Sequence, residues 1–339
     1  MSKRERDAGF DNLKGILIYL VVFGHVLSKL LSASVPGRLI QTAIFSVHMP
    51  AFVFISGYFS KNAARTDAIQ HVKSTLLPFI LIQVVTQAAI LLADYGAYSV
   101  ILEPFWTTWY LLCLFVWRPL VTPFSKIRCS FVLTVITALC VGFTTAGRAL
   151  TLSRLVTFFP YFLAGYLTPP DAISRLRKIP RAIPEIVLAL IFAAAICMRL
   201  SGLPILATMK MDMPYSTLSL STQWHGLLYR ALALLMGFLG TACLIALVPA
   251  KSCILSKWGA CTMTIYLGHS FIILLLRSLV RFMPHDLLAL DAIMIPSAMM
   301  LAVCICQFLG NQKAADLYRK GIDRIASIVL LEEKEKAGK

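Results

Sequence analysis

Long apolar runs separated by short polar stretches make up most of this chain. A helix needs ~20 apolar residues to cross a bilayer. Runs near that length recur at 13–31, 41–59, 75–93, 101–117, 130–147, 155–167, 183–198, 225–247, 258–276 and 287–309. The pattern predicts an all-α, polytopic membrane protein of about ten transmembrane helices. The sixth run is short and the fourth begins polar, which sets the range at about nine to eleven. The first run has no small-x-small cleavage site before the second, so a retained helix is expected rather than a signal peptide.

Residues 1–310 read as one membrane domain. The tail, 311–339, sets Tyr318, Ile322, Ile325 and Val329 on one helical stripe among lysines and arginines. That is the pattern of an amphipathic helix lying on a leaflet, here followed by a charged end.

Composition supports the membrane reading. Of the 339 residues 58% are hydrophobic and only 14% are charged, where soluble domains carry roughly 25%. With the N-terminus inside, the tails and inner loops hold 22 of the lysines and arginines, and the outer loops hold Arg38, Arg148, Arg154, Arg199, Lys210, Arg277 and Arg281. This asymmetry predicts cytoplasmic N- and C-termini by the positive-inside rule. It also accounts for most of the formal charge of +16. Nucleic acid is a poor partner for basic residues scattered over short loops; the bilayer is the expected one. Seven of the nine cysteines fall within spans and two in inner loops, without metal-ligand spacing, so neither a metal nor a disulfide framework is expected.

From Leu13 to Leu27 only Lys14 and His25 interrupt the apolar run. Eleven helical steps leave them about 20° apart around the helix and about 16 Å apart along it. A titratable ring inside a span marks a functional site by default. Imidazole titrates near neutral pH, which makes His25 a candidate general base. Asp11, three residues before Lys14, is placed to pair with it.

Other positions admit two readings. His48, Phe52 and Ser56 share a side of the second span, with Pro50 between them. His48 suits either a bond between helices or a site; Ser56-Gly57 also reads as a close-packed small pair. Lys61, Arg65, His71 and Lys73 are explained by inner-loop charge bias alone, or they form a phosphate-reading patch. Trp106 and Trp109 fit an interfacial aromatic belt. Arg230 either snorkels or lines a cavity, the latter being preferred, and His269 is a further titratable group at mid-span.

Asp11-x-x-Lys14 followed by His25 resembles the first-helix signature of the acyltransferase 3 family. The run His48-Met-Pro-x-Phe-x-Phe-x-Ser56-Gly57-Tyr58 is similar to its second-helix motif. Later motifs look like Arg154-Leu-Val-x-Phe-Phe-Pro160 through Tyr166, and Gly259-x-x-Thr262 through His269. The opening Asp11-Asn-Leu-Lys14-Gly-Ile-Leu is closest to the fucose 4-O-acetylase-like branch.

The resemblance spans about residues 10–310 and implies a membrane O-acetyltransferase of the inner (cytoplasmic) membrane. Acetyl would pass from cytoplasmic acetyl-CoA to a hydroxyl of a cell-envelope or exopolysaccharide carbohydrate or glycolipid. By resemblance His25 is the essential histidine and Lys14 its basic partner; Asp11, paired with Lys14, is counted with them as a catalytic candidate. Lys14, Ser56, Lys61, Arg65 and Lys73 would hold the CoA, with His48, Arg154, Arg230 and His269 in support. Many members carry Arg where this chain has Lys14, which exchanges a bidentate fork for a point charge. No fused extracytoplasmic hydrolase-like domain is expected, so transfer would be completed within the membrane domain. His25 could act as a base or carry the acetyl group transiently. A proton-coupled transporter of a polar solute is the alternative for a bundle with His25, His48, Arg230 and His269 inside its spans.

Overall fold

The computed structural model describes residues 7–32, 34–61, 67–92, 103–104, 106–284, 286 and 290–330, and among these helices are the only regular secondary structure. The first helix, α1 (Ala8–Leu30), starts before its apolar run because Asp7 caps it, accepting from the N–H groups of Gly9 (2.9 Å) and Phe10 (3.3 Å). Helix α2 (Val35–Phe59) likewise starts early, with Ser34 as its cap and Pro36 in its first turn. Helix α3 (Ala68–Leu91) contains a π-helical turn at Val72–Leu76.

Helix α4 (Trp109–Phe124) begins later than the run at 101 predicts. Turn residues Trp106–Thr108 precede it, and 101, 102 and 105 lie outside the described residues. Helix α5 (Ser130–Cys140) ends in a 3-10 turn. Helices α6 (Leu152–Thr157) and α7 (Phe159–Leu167) form the sixth run, bent by 47° at Phe158. After the short α8 (Pro170–Leu176) come α9 (Ala182–Leu200), α10 (Ile205–Lys210) and α11 (Gln223–Leu247). Then follow α12 (Ile254–Ala260), α13 (Thr262–Val280), α14 (Asp291–Leu309) and α15 (Gln312–Val329).

Seven helices are long and apolar enough to span a membrane, and the bent pair makes an eighth. The shorter apolar helices, 109–124 and 130–143, occupy the fourth and fifth expected runs. Leu91, Leu190, Leu275 and Phe308 stand exposed on the bundle's outside, as lipid-facing side chains do. This is a multi-pass, all-α membrane protein.

Helix α1 lies at the centre, against α2, α12, α13 and α14, while α2 packs on α7, α9 and α11. Lipid tails are as apolar as leucine, so close packing rather than water exclusion holds such helices together. Two reciprocal glycine contacts provide it. Gly15 meets the Leu255 carbonyl and Gly259 that of Asp11; Gly57 meets Phe162 and Gly165 meets Phe54. A Cβ at any of these four positions would overlap backbone.

The segments gather into two ends. At the start of α1, the Asn12 amide donates to the carbonyls of Pro249 (2.8 Å) and Lys251 (2.7 Å). Asp7 pairs with Arg177 at 3.0 Å; burial opposes its charge, but Arg177 and the two capped N–H groups hold its carboxyl below the usual range. Lys61 donates to the Thr168 carbonyl, and Lys73 reaches Asp323 of α15 at 2.7 Å. Helix α15 turns Tyr318, Ile322, Ile325 and Ala326 inward against α3 and α13, leaving Leu317, Ile328 and Val329 exposed. Part of the stripe expected to face lipid therefore faces protein.

Candidate functional site

At the opposite end, around the last turns of α1, a cavity of about 380 Å³ opens between the helices. Helix α1 presents Val21, His25 and Lys29 to it at successive four-residue steps, with Ser28 beside them. Helix α2 adds Gln41, Phe45 and His48; α13 adds Tyr266; and the approach to α4 brings Glu103, Trp106, Thr107 and Trp109. The last wall comes from two turns and the short helices they adjoin, one carrying Arg148, Thr151 and, on α6, Arg154, the other Met209 and Lys210 at the end of α10 and Asp212 after it.

His25 is half-buried in this cavity, its ring centroid 5.4 Å from that of His269. Among the described residues nothing hydrogen-bonds its ring nitrogens. His48 and His269 are buried, and each places Nδ1 on the carbonyl four residues back, Ile44 at 2.8 Å and Ile265 at 2.9 Å. A nitrogen facing a carbonyl must carry the proton, so in the neutral ring Nε2 holds the lone pair. Among the described residues His269 Nε2 is buried with no hydrogen-bond partner. The cavity thus places half-buried His25 beside a second imidazole whose Nε2 is an acceptor with no hydrogen-bond partner among the described residues.

The two turns are strained. Leu150 (φ 47°), Thr151 (φ 54°) and Met211 (φ 52°) all hold left-handed backbone without being glycine. Such residues persist where the surroundings over-determine them, often at functional sites. Here they flank a cluster on Asp212, whose Oδ2 accepts from Arg154 Nη2 (2.9 Å) and Arg148 Nε (3.1 Å). Arg154 Nε also donates to the Lys210 carbonyl, and its guanidinium lies over Trp109. Removing Asp212 leaves Arg154 with no carboxylate partner. Asp212→Ala is expected to cost about 2 kcal/mol, the low end for a broken pair because the cavity admits water. Thermal melting in detergent measures it, and Asp212→Ala combined with Arg154→Met should recover part of the loss; an unchanged melting temperature in Asp212→Ala contradicts the role.

The sequence candidates divide between the two ends. His25, His48 and Arg154 line the cavity, and His269 stands behind His25. Lys14 and Asp11 do not line it: they form a 3.7 Å ion pair at the other end of α1, since eleven residues of helix separate Lys14 from His25. Lys14 lies 4.1 Å over Phe59, and Lys61 lies 4.2 Å over Tyr58. Both rings contact Phe10, which also carries Arg177 at 5.1 Å. A basic, aromatic patch results, to which Arg177, Tyr58 and Phe59 were not expected to contribute.

Ser56 bonds the Tyr110 hydroxyl instead of joining that patch, and Lys73 is engaged by Asp323. Arg65 lies outside the described residues. Arg230 does not line the cavity as preferred from sequence. It is buried over Tyr215 and donates to the Met213 carbonyl at 2.9 Å. Trp106 and Trp109 line the cavity instead of forming only a belt.

The residues that sequence reasoning missed are Lys29, Lys210, Asp212, Gln41 and Tyr266. Lys29 carried a legible signal, one turn beyond His25 on the same face. Asp212 carried a weaker one, as the lone carboxylate between the seventh and eighth runs.

A family model described as an acyltransferase domain matches residues 7–310. Nodulation protein NolL of Mesorhizobium japonicum is 26% identical over 183 residues, covering 48% of each chain. Nodulation protein NolL of Sinorhizobium fredii is 42% identical over 60 residues, covering 17% of this chain and 16% of that one. The first match spans about half the length of the relative, and the second a smaller part. No solved structure matches.

Proposed function

Because this chain belongs to the acyltransferase 3 family, we propose that it transfers acetyl from cytoplasmic acetyl-CoA to a hydroxyl of a cell-envelope or exopolysaccharide sugar, with His25 as general base. The observation that carries this reading is His25 on a polar, aromatic-walled cavity, backed by the unpartnered Nε2 of His269. Aromatic faces suit the C–H faces of a sugar ring, and the charged and amide groups around them suit its hydroxyls. The Asp11-to-Leu17 opening supports an acetylase of the fucose 4-O-acetylase-like kind.

In this reading His25 takes the proton of the acceptor hydroxyl as its oxygen attacks the thioester carbonyl. The tetrahedral intermediate then expels the CoA sulfur, which leaves with the proton held by His25. An O-acetyl ester and free CoA thiol are the products.

The donor would bind at the other end, in the cytoplasmic membrane's inner face, with both termini on that side. The charge asymmetry of the loops supports this orientation. Lys14, Lys61 and Arg177 around Phe59 and Tyr58 offer cations for the CoA phosphates and a face for its adenine. The pantetheine arm would then cover the ~16 Å to His25. Phe52, Tyr110 and Tyr266 meet edge to face in the bundle interior; in this reading such rings move to let the thioester through.

Two experiments bear on this. Purified protein should release thiol from acetyl-CoA when acceptor glycan is supplied, and mass spectrometry of surface glycans should show O-acetyl groups lost when the gene is deleted. Proton-driven solute flux in liposomes without thioester turnover would instead establish the transporter. Lys14→Ala is expected to raise KM for acetyl-CoA about tenfold, as for one lost charged phosphate contact, with kcat nearly unchanged. An unaltered KM removes Lys14 from the donor site.

A further inference from the structure

The cavity around His25 has an excess of positive charge. Lys29, Arg148, Arg154 and Lys210 line it against two carboxylates, Glu103 and Asp212. Asp212 is committed to the two arginines. The lysines are in a different position. Lys29 Nζ lies 3.6 Å over the Trp106 ring. Among the described residues neither Lys29 nor Lys210 has a carboxylate within ion-pair distance, and Glu103 reaches neither of them.

Ammonium groups held in a partly desolvated cavity without counter-charge cost stability, and a ligand that brings the counter-charge recovers that cost. Their placement is also constrained. Lys29 follows His25 by one turn of a central helix, and Lys210 precedes the left-handed Met211 that sets Asp212 under the arginines. Trp106 and Trp109 line the same cavity and give it flat apolar faces.

We infer that this cavity takes an anionic sugar, one bearing a carboxylate or a phosphate, with its charge between Lys29 and Lys210. The sugar ring lies against the tryptophans and one hydroxyl faces His25. A neutral sugar would bring neither ammonium group a counter-charge. Naming this sugar the acetyl acceptor rests on the acyltransferase reading above; anion binding itself does not.

The test uses the full chain purified in detergent and follows tryptophan fluorescence during titration. Glucuronate and glucose 1-phosphate probe the two anionic groups, glucose is the neutral control, and adenosine 3′,5′-bisphosphate represents the donor's phosphates. At least one anionic sugar should bind about tenfold or more tightly than glucose, a difference of about 1.4 kcal/mol. Which of the two binds tells carboxylate from phosphate. The preference should vanish in Lys29→Gln with Lys210→Gln and survive in Lys29→Arg with Lys210→Arg, which also controls for folding.

Equal binding of glucose and both anions overturns the inference. So does a preference that persists in the double glutamine variant, or displacement of the bound anionic sugar by the bisphosphate. If the anions bind as expected but acetyl-CoA is never turned over, the acyltransferase reading fails and the anion site stands.

Discussion

His25→Ala is expected to lower acetyl transfer by about 10²- to 10⁴-fold while leaving the folded protein intact. An alcohol is a poor nucleophile at neutral pH unless its proton is taken as it attacks. Among the described residues nothing hydrogen-bonds the ring nitrogens of His25, whereas His48 and His269 each have Nδ1 on a main-chain carbonyl. His25 is also half-exposed to the cavity, so truncating it opens space next to existing void rather than in the packed core. The melting temperature should therefore stay near the wild type's. Thiol release from acetyl-CoA in the presence of acceptor measures the loss. His269→Ala should have a smaller effect, since it removes the group behind the base and leaves the base itself. Full activity in His25→Ala would show that another group takes the proton, and the mechanism would fail.

Gly165→Val is expected to abolish the folded protein. The α-carbon of Gly165 lies against the Phe54 main chain, with Tyr58 N 2.9 Å from where a Cβ would stand. Gly57, across the same contact, meets the Phe162 carbonyl. A side chain at the end of a rotamer can swing away, but main chain in a packed helix cannot. Relief requires α2 and α7 to separate, which also shifts α2 against α9 and α11. Overpacking commonly costs about 1–3 kcal/mol and more when backbone must move; here the cost should exceed that range. Size-exclusion chromatography of the detergent extract should show aggregate in place of a monodisperse peak. Gly321→Ala is the control. It lies on α15 with nothing within 4 Å of a Cβ, and should leave the melting temperature the same or slightly higher. A Gly165→Val protein melting like the wild type would refute the close-packing account.

Much of this architecture was legible in the residues. Apolar runs of bilayer length, helix caps such as Asp7 and Ser34, and the charge asymmetry of the loops are local or additive properties. They gave the class and the positions of most long helices, though among the described residues only seven, or eight with the bent pair, are of spanning length and apolarity where about ten were expected. His25 was legible for the same reason: a polar ring in an apolar run stands out without any knowledge of its neighbours. The Lys14–Asp11 pair is one turn apart on one helix, so spacing alone disclosed it.

Local spacing also set the limits. Lys14 and His25 share a face of α1, yet one meets Asp11 and Phe59 and the other meets a cavity built from α2, α13 and two turns. Arg230 and Arg154 look alike as arginines near outer span ends. Asp212 pairs with Arg154 because the bent α6–α7 segment and the strained turn at Met211 converge, while Arg230 is sealed under Tyr215. Trp106 reads as an interfacial aromatic until Lys29 is found over its ring.

The sequence by itself therefore determined a multi-pass helical membrane protein with a titratable histidine inside its first helix, because hydropathy and helical period act within a segment. Only the tertiary structure decided which charges share the histidine's cavity. That depends on how closely helices cross, on backbone contacts at Gly15, Gly57, Gly165 and Gly259, and on turns whose geometry no periodicity encodes.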